Sequence, residues 1–159
     1  MLRVATLDDA EAITALVNAA FRVEDFFKAG DRTDVNEVRA RLASGEFLVL
    51  EAADEPRSPP RLVACVYVER NGTHAYFGML SIAPTRQGQG FGRFMIDGVE
   101  SYCRGSGCRE IEIHVVNLRE ELPPFYRRFG YVETGTLPFP DDGSATRDCH
   151  FIVMTKRLA

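Results

Sequence analysis

Histidine and cysteine are scarce in this chain, three and four among 159 residues, and their placement removes several kinds of chemistry at the outset. His74 and His150 have no partners at metal-ligand spacing, so no metal is expected. Cys65, Cys103, Cys108 and Cys149 form no CxxC pair, and free buried thiols are expected rather than disulfides. Positive charge is not in excess: the net charge of −4 argues against a nucleic-acid-binding surface and is compatible with cationic partners. No apolar run reaches the roughly 20 residues of a membrane span. The opening Met1-Leu2-Arg3-Val4-Ala5 enters a strand without a signal-peptide layout, so the cytoplasm is the expected compartment and no membrane partner is expected. Internal repeats and low-complexity tails are absent. What is present, 45% hydrophobic and 26% charged residues, is the balance of one compact domain over residues 1–159, as a monomer or homodimer.

Along the chain, Leu2 to Ala5 reads as a strand and Thr6 as the N-cap of a helix with Asp8 and Asp9 in its first turn. Ile13, Leu16, Val17, Ala20 and Phe21 recur at helical spacing, which carries that helix to about Phe21. A second helix is expected from Asp34 to Ala43, stopped near Gly45. Strands are expected at Glu46–Ala53, at Arg61–Glu69 and, after the Asn71-Gly72 turn, up to Ala83. A helix to about Arg104, a strand at Arg109–Val116, a helix after it and strands at Tyr131–Thr136 and Cys149–Lys156 complete the order. This is the pattern of an α/β domain with a mixed sheet flanked by helices.

Between the third of those helices and the strand before it lies Arg86-Gln87-Gly88-Gln89-Gly90-Phe91-Gly92. Three glycines at alternate positions let backbone N–H groups turn inward around an anion, and the following helix adds the positive end of its dipole. A phosphate-bearing ligand is the natural occupant. The spacing excludes two common choices. A dinucleotide fingerprint would need a third glycine where Arg93 stands, and no G-K-[ST] of a P-loop occurs.

What remains is Gln87-x-x-Gly90-x-Gly92 preceded by Leu80-Ser81-Ile82-Ala83-Pro84. Another motif follows: the strand-like Ile111-Glu112-Ile113-His114-Val115-Val116 runs into Asn117 and then Leu122-Pro123-Pro124-Phe125-Tyr126-Arg127-Arg128-Phe129-Gly130-Tyr131. Both prolines fit only in the first turn of a helix, so that helix is expected to start beside them. Together these motifs resemble those of the GNAT superfamily of N-acetyltransferases, and the Pro-Phe-Tyr in the latter motif is similar to that of the arylalkylamine N-acetyltransferase branch. The resemblance implies the acetyltransferase fold, a mostly antiparallel central sheet in which two strands splay apart to hold acyl-coenzyme A.

It also implies roles. Acetyl-CoA would be the cosubstrate, bound by Leu80, Ser81, Ile82, Gln87, Gly88, Gln89, Gly90, Phe91, Gly92, Arg93, Asn117 and Phe125. A backbone N–H near Leu80 would stabilise the thioester oxygen from a bulged strand, and Tyr126 would protonate the departing thiolate. Asn117 either meets the pantetheine amide or caps its own strand. Related enzymes place a Glu or His general base on the strand before the glycine loop, where this chain has Tyr76, a poor base when neutral. The base is then to be sought among Glu24, Asp25, Glu69, His74 and His114, or in water.

For the acceptor, Phe21, Glu24, Asp25, Phe26 and Phe27 set carboxylates among aromatics, and the last loop adds Phe139, Asp141 and Asp142. An apolar slot with an anionic rim would suit a small-molecule primary amine; a solvated helix end is the plainer account of the same residues. The expected activity is acetyl transfer to an amine by direct attack in a ternary complex. A protein N-terminus or lysine as acceptor, and a catalytically silent acyl-CoA sensor, are the alternatives.

Overall fold

The computed structural model describes residues 2–158, so Met1 and Ala159, the ends of the expected domain, lie outside the described residues. Seven strands, β1 (Leu2–Val4), β2 (Glu46–Ala52), β3 (Arg61–Asn71), β4 (His74–Ile82), β5 (Glu110–Val116), β6 (Val132–Pro138) and β7 (His150–Arg157), form one sheet in the order β1-β2-β3-β4-β5-β7-β6. All neighbours are antiparallel except β4 and β5. Four α-helices accompany them: α1 (Ala10–Ala20), α2 (Val35–Ser44), α3 (Phe91–Gly105) and α4 (Leu122–Arg127).

Strand alternation divides the core into two layers. Phe47, Val49, Cys65 and Tyr67 point to one face of the sheet, where Ile13, Leu16 and Val17 of α1 and Val38 of α2 cover them. Leu48, Leu50, Val66 and Val68 point to the other, against Met95, Ile96, Val99 and Cys103 on a single stripe of α3. β3 is therefore buried on both faces, and β6 is exposed along its whole length at the sheet edge.

Local signals fix the boundaries. Asp34 caps α2 by accepting from the Glu37 N–H at 2.8 Å. Pro123 and Pro124 stand in the first turn of α4, as their missing N–H groups require. The first helix departs from expectation at its start, where a 3-10 turn at Leu7–Asp9 precedes α1; its end at Ala20 falls within a residue of expectation, and a second 3-10 turn at Phe21–Glu24 follows it. The expected strand at Tyr131 begins at Val132 instead, because Tyr131 is fully buried and donates its hydroxyl to Glu100 at 2.9 Å. All four cysteines are free thiols, and burial raises those of Cys65 and Cys103 to about 12.

Candidate active site

β4 and β5 pair only at His74–Glu110, Ala75–Ile111 and Tyr76–Glu112. Beyond Tyr76 they diverge, and β4 bulges: Cys65 of β3 faces Ser81, yet Tyr67 faces Gly78, so β4 carries one extra residue between them. The bulge is built on Met79, which takes a φ of +53°. Such a conformation costs a non-glycine residue of order 1 kcal/mol or more and is held by packing; here the Met79 side chain is buried in the α1–α2 layer and its carbonyl accepts from the Ser81 hydroxyl at 2.9 Å. Strand divergence leaves the main chain of the bulge without a partner strand on the β5 side.

The cleft so opened is a cavity of about 910 Å³. Tyr76, Leu80, Ile82, Gln87, Gly88, Gly90, Phe91, Gly92, Arg93, Phe125 and Tyr126 line it, so the two sequence motifs meet across one space. Ser81 turns its side chain into the opposite layer and Gln89 lies outside the lining. Asn117 is also outside it: its N–H donates to the His150 carbonyl at 2.9 Å and its Oδ1 accepts from the His150 N–H at 2.8 Å, the arrangement of a strand cap.

At one end of the cavity the glycine loop is shaped for an anion. Gly88 and Gly90 have φ of +76° and +83°, and a Cβ at either would meet no atom within 4 Å, so the loop is open on its outer side. Gly90 is the N-cap of α3, a helix of 15 residues whose first N–H groups are free to point at a ligand. Arg93 lies over the Phe129 ring at 5.7 Å, and Arg86 is tied to the Ala53 carbonyl and Asp54. These residues fit a pyrophosphate, and the unpaired edges of β4 and β5 fit an extended amide-bearing arm.

Midway along, Tyr126 is 7% exposed and its hydroxyl has no hydrogen-bond partner among the described residues. Burial raises its pKa well above the ordinary phenol value, so it is a protonated donor throughout the neutral range. In the same cavity Tyr76 packs against His114 with ring centroids 4.8 Å apart and planes tilted by 47°, and His114 Nε2 lies 2.5 Å from a Glu112 carboxylate oxygen.

At the acceptor end the structure brings only some of the expected residues to the cavity. The 3-10 turn at Phe21–Glu24 rotates consecutive side chains apart, so Phe21 and Glu24 line the cavity whereas Asp25, Phe26 and Phe27 do not. Asp25 is exposed and pairs with Arg22 at 3.7 Å, Phe26 is 47% exposed beneath Arg147, and Phe27 is wholly buried. Glu24 is no bare rim charge either. It is buried against Arg119 at 3.1 Å, and its carboxyl is held above the usual range by burial, with Arg119 opposing. From the last loop, Phe139 and Asp142 line the cavity and Asp141 does not. That loop is fastened over the acceptor end by the Lys28–Ala145 bridge and by bonds from Ala29 N–H to the Ser144 carbonyl and Thr146 N–H to the Phe27 carbonyl. Lys28, Arg32, Arg41 and Arg119 also line this end. No spacing rule singles them out, because they come from separate segments.

A sheet opened by a bulge, with a glycine loop shaped for an anion at one end and a buried tyrosine between, forms the candidate site. The model of the acetyltransferase (GNAT) family matches residues 11–131, and the chain belongs to that family. Among solved structures it is similar to the smu.2055 protein of Streptococcus mutans, with TM-score 0.79 and 16% identity over 100% of this chain and 99% of that one. It is likewise similar to a ribosomal-protein-alanine N-acetyltransferase from Brucella melitensis, with TM-score 0.74 and 19% identity over 99% of each chain. Nourseothricin acetyltransferase matches with TM-score 0.74 and 20% identity over 100% of this chain and 98% of that one. These likenesses establish the acetyltransferase fold. No curated protein matches the sequence significantly.

Proposed function

We propose that this protein transfers an acetyl group from acetyl-CoA to the primary amine of a small molecule, by direct attack in a ternary complex. The observation that carries the reading is the single cavity shared by the glycine loop, the Met79 bulge and Tyr126. Acetyl-CoA supplies an activated acetyl thioester. The N–H groups at Gly88, Gly90 and the start of α3 would hold its pyrophosphate, and the free edges of β4 and β5 its pantetheine arm. The last loop, tied down by the Lys28–Ala145 bridge and lining the cavity through Phe139, Pro140, Asp142 and Ser144, supports a small acceptor over a protein chain.

The protein's own residues then have three tasks. Backbone donors at the bulge, turned away from the β3 ladder, stabilise negative charge on the thioester oxygen. Tyr126 gives its proton to the leaving thiolate. His114 takes a proton from the amine: its Nε2 is tied to Glu112, which orients the ring as a carboxylate orients a histidine base, and Tyr76 and Phe151 pack against the ring at 4.8 and 6.0 Å. This assigns Tyr76 a packing role. The same neighbourhood supports an enzyme over a silent sensor, which has no use for an oriented base.

The test is a panel of amines assayed with acetyl-CoA by thiol release, together with calorimetry of acetyl-CoA binding. Binding with turnover of at least one amine is the expected result. Binding with no turnover on any amine leaves a sensor, and no binding removes the coenzyme assignment.

A further inference from the structure

Cations and carboxylates at the acceptor end are equal in number, Lys28, Arg32, Arg41 and Arg119 against Glu24, Glu37, Glu121 and Asp142, but they are not evenly paired. Glu24 and Glu121 both engage Arg119, and Asp142 accepts from the Ser144 N–H and hydroxyl. Glu37 accepts from Thr33 and stands 3.9 Å from Arg32. Two cations at this end of the lining, Arg41 and Lys28, have no carboxylate within ion-pair distance among the described residues. Arg41 is the more telling. Its guanidinium lies over the Tyr67 ring at 4.9 Å, and its Nε is buried without any hydrogen-bond partner. It is the one such buried side-chain atom among the described residues. A half-buried guanidinium in a cavity wall, its Nε shut off from water and unpartnered, is complementary to an oxyanion that can accept two parallel bonds.

Its neighbours strengthen the same field. Arg41 and Arg32 both act electrostatically on the Tyr76 hydroxyl, which adds a neutral donor at the cavity wall. Lys28 is held below the ordinary lysine range by burial first and by Arg32 second, with Glu24, Asp142 and Glu37 opposing. An acceptor that carries its own anion would give Arg41 and Lys28 a partner, which a bare amine cannot.

We infer that the acceptor is an amine bearing an oxyanion, a carboxylate or phosphonate, which Arg41 binds with Arg32 and Lys28 beside it while the amine is presented to the bulge of β4. This rests on the acetyl-transfer reading above and narrows its substrate class. It replaces the expectation of an anionic rim for a plain hydrophobic amine. Arg41 thereby becomes the residue that sets specificity, through binding and not through the chemical step.

The experiment compares amines with their carboxylated counterparts: phenethylamine with phenylalanine, isoamylamine with leucine, putrescine with ornithine, and ethylamine with both β-alanine and 2-aminoethylphosphonate. The expected result is kcat/KM at least about tenfold higher for one or more oxyanion-bearing members than for the matched amine. Arg41→Gln should raise KM for that member about tenfold or more, with kcat and the KM for acetyl-CoA within about twofold, and Arg41→Lys should recover part of the loss. Equal use of bare amines, or an unchanged KM in Arg41→Gln, overturns the inference. If nothing in the panel turns over, calorimetry of the same compounds on the CoA-saturated protein separates the two claims. Binding of an oxyanion-bearing member that weakens about tenfold in Arg41→Gln keeps the anion site and overturns acetyl transfer to amines. No binding overturns the anion site itself.

Discussion

The hydroxyl of Tyr76 lies across Gly78, two residues further along the same face of β4, so closely that a Cβ on that glycine would sit 2.3 Å from the phenol oxygen and 2.9 Å from the ring carbon bearing it. A strand interior is a poor place for glycine unless something must come near the backbone, and here it is an aromatic side chain lying in the wall of the active-site cavity.

Gly78→Ala should therefore push Tyr76 out of its place and off His114. Overpacking of this kind costs about 1–3 kcal/mol. In a Tyr76→Ala background the same substitution should cost close to nothing, since the clashing ring is gone. Urea denaturation of the four proteins measures the coupling. If the cost of Gly78→Ala is the same in both backgrounds, Tyr76 is not what this glycine makes room for.

The glycine loop carries another prediction. Gly90 has φ +83°, a conformation that a β-branched residue adopts only under strain, so Gly90→Val should lose about 1–2 kcal/mol of stability. Its affinity for acetyl-CoA should fall by at least ~2 kcal/mol, because the side chain enters the space where the pyrophosphate meets the backbone. Gly92 in the first turn of α3 has no such φ, and an added Cβ would make only an ordinary 3.6 Å contact with Phe125. Gly92→Ala should fold at least as well as the parent. Thermal melts with and without acetyl-CoA separate the two effects, and an unchanged ligand-induced shift in Gly90→Val would remove the loop from the binding site.

Much of this geometry was legible in the sequence where the signal is local. The apolar runs of β2 and β3, the helix that follows Asp34, two prolines at the start of α4 and the glycine loop before α3 are all set by near neighbours, and the elements fall within a few residues of expectation. The acceptor end was not legible in the same way. Whether Glu24 is a free rim charge depends on Arg119, 95 residues away, and whether Asp25 reaches the cavity depends on a 3-10 turn that begins where the helical periodicity has run out. The unpartnered Arg41 is visible only as an absence of contacts, which no sequence pattern encodes. Met79, a non-glycine residue with positive φ, likewise has no signature of its own.

Asp9 gives a prediction in pH. Its carboxylate accepts two bonds from the Arg3 guanidinium, each 2.8 Å, and one from the Thr6 N–H at 2.8 Å. Arg3 before all else holds its pKa below the ordinary 3.8, with the Thr6 bond adding to it and burial opposing. A depressed carboxyl pKa contributes stability that is present above the unfolded value and is lost as pH falls through the folded one. Asp9→Asn should thus cost about 1–2 kcal/mol at pH 7, and the difference from the parent should shrink as pH is lowered through and below 3.8. Denaturation midpoints at pH 7, 4 and 3 test it, and a pH-independent gap would show that Asp9 acts through packing alone.

Tyr126 is the point at which structure and chemistry are most tightly joined. It is buried between Phe77, Phe125 and Tyr131, with ring centroids 6.2, 5.2 and 5.8 Å away, so the ring is fixed by packing and its hydroxyl by nothing else in the described protein. A tyrosine retained for structure would spend that hydroxyl on a bond, as Tyr131 does with Glu100. Tyr126→Phe should consequently leave folding stability within about 0.5 kcal/mol of the parent, since no hydrogen bond is lost, and leave acetyl-CoA affinity unchanged. Turnover on an accepted amine should fall by about 10²-fold, the usual worth of one positioned proton donor. The loss should be smaller with an acyl donor whose leaving group departs without protonation, because the phenol then has less to supply. Steady-state kinetics with acetyl-CoA and with such an activated ester, run beside calorimetry of coenzyme binding, decide the point. An unchanged kcat with acetyl-CoA would mean that the thiolate leaves without this proton, and an equal loss with both donors would mean that the hydroxyl positions the acetyl group instead of protonating sulfur.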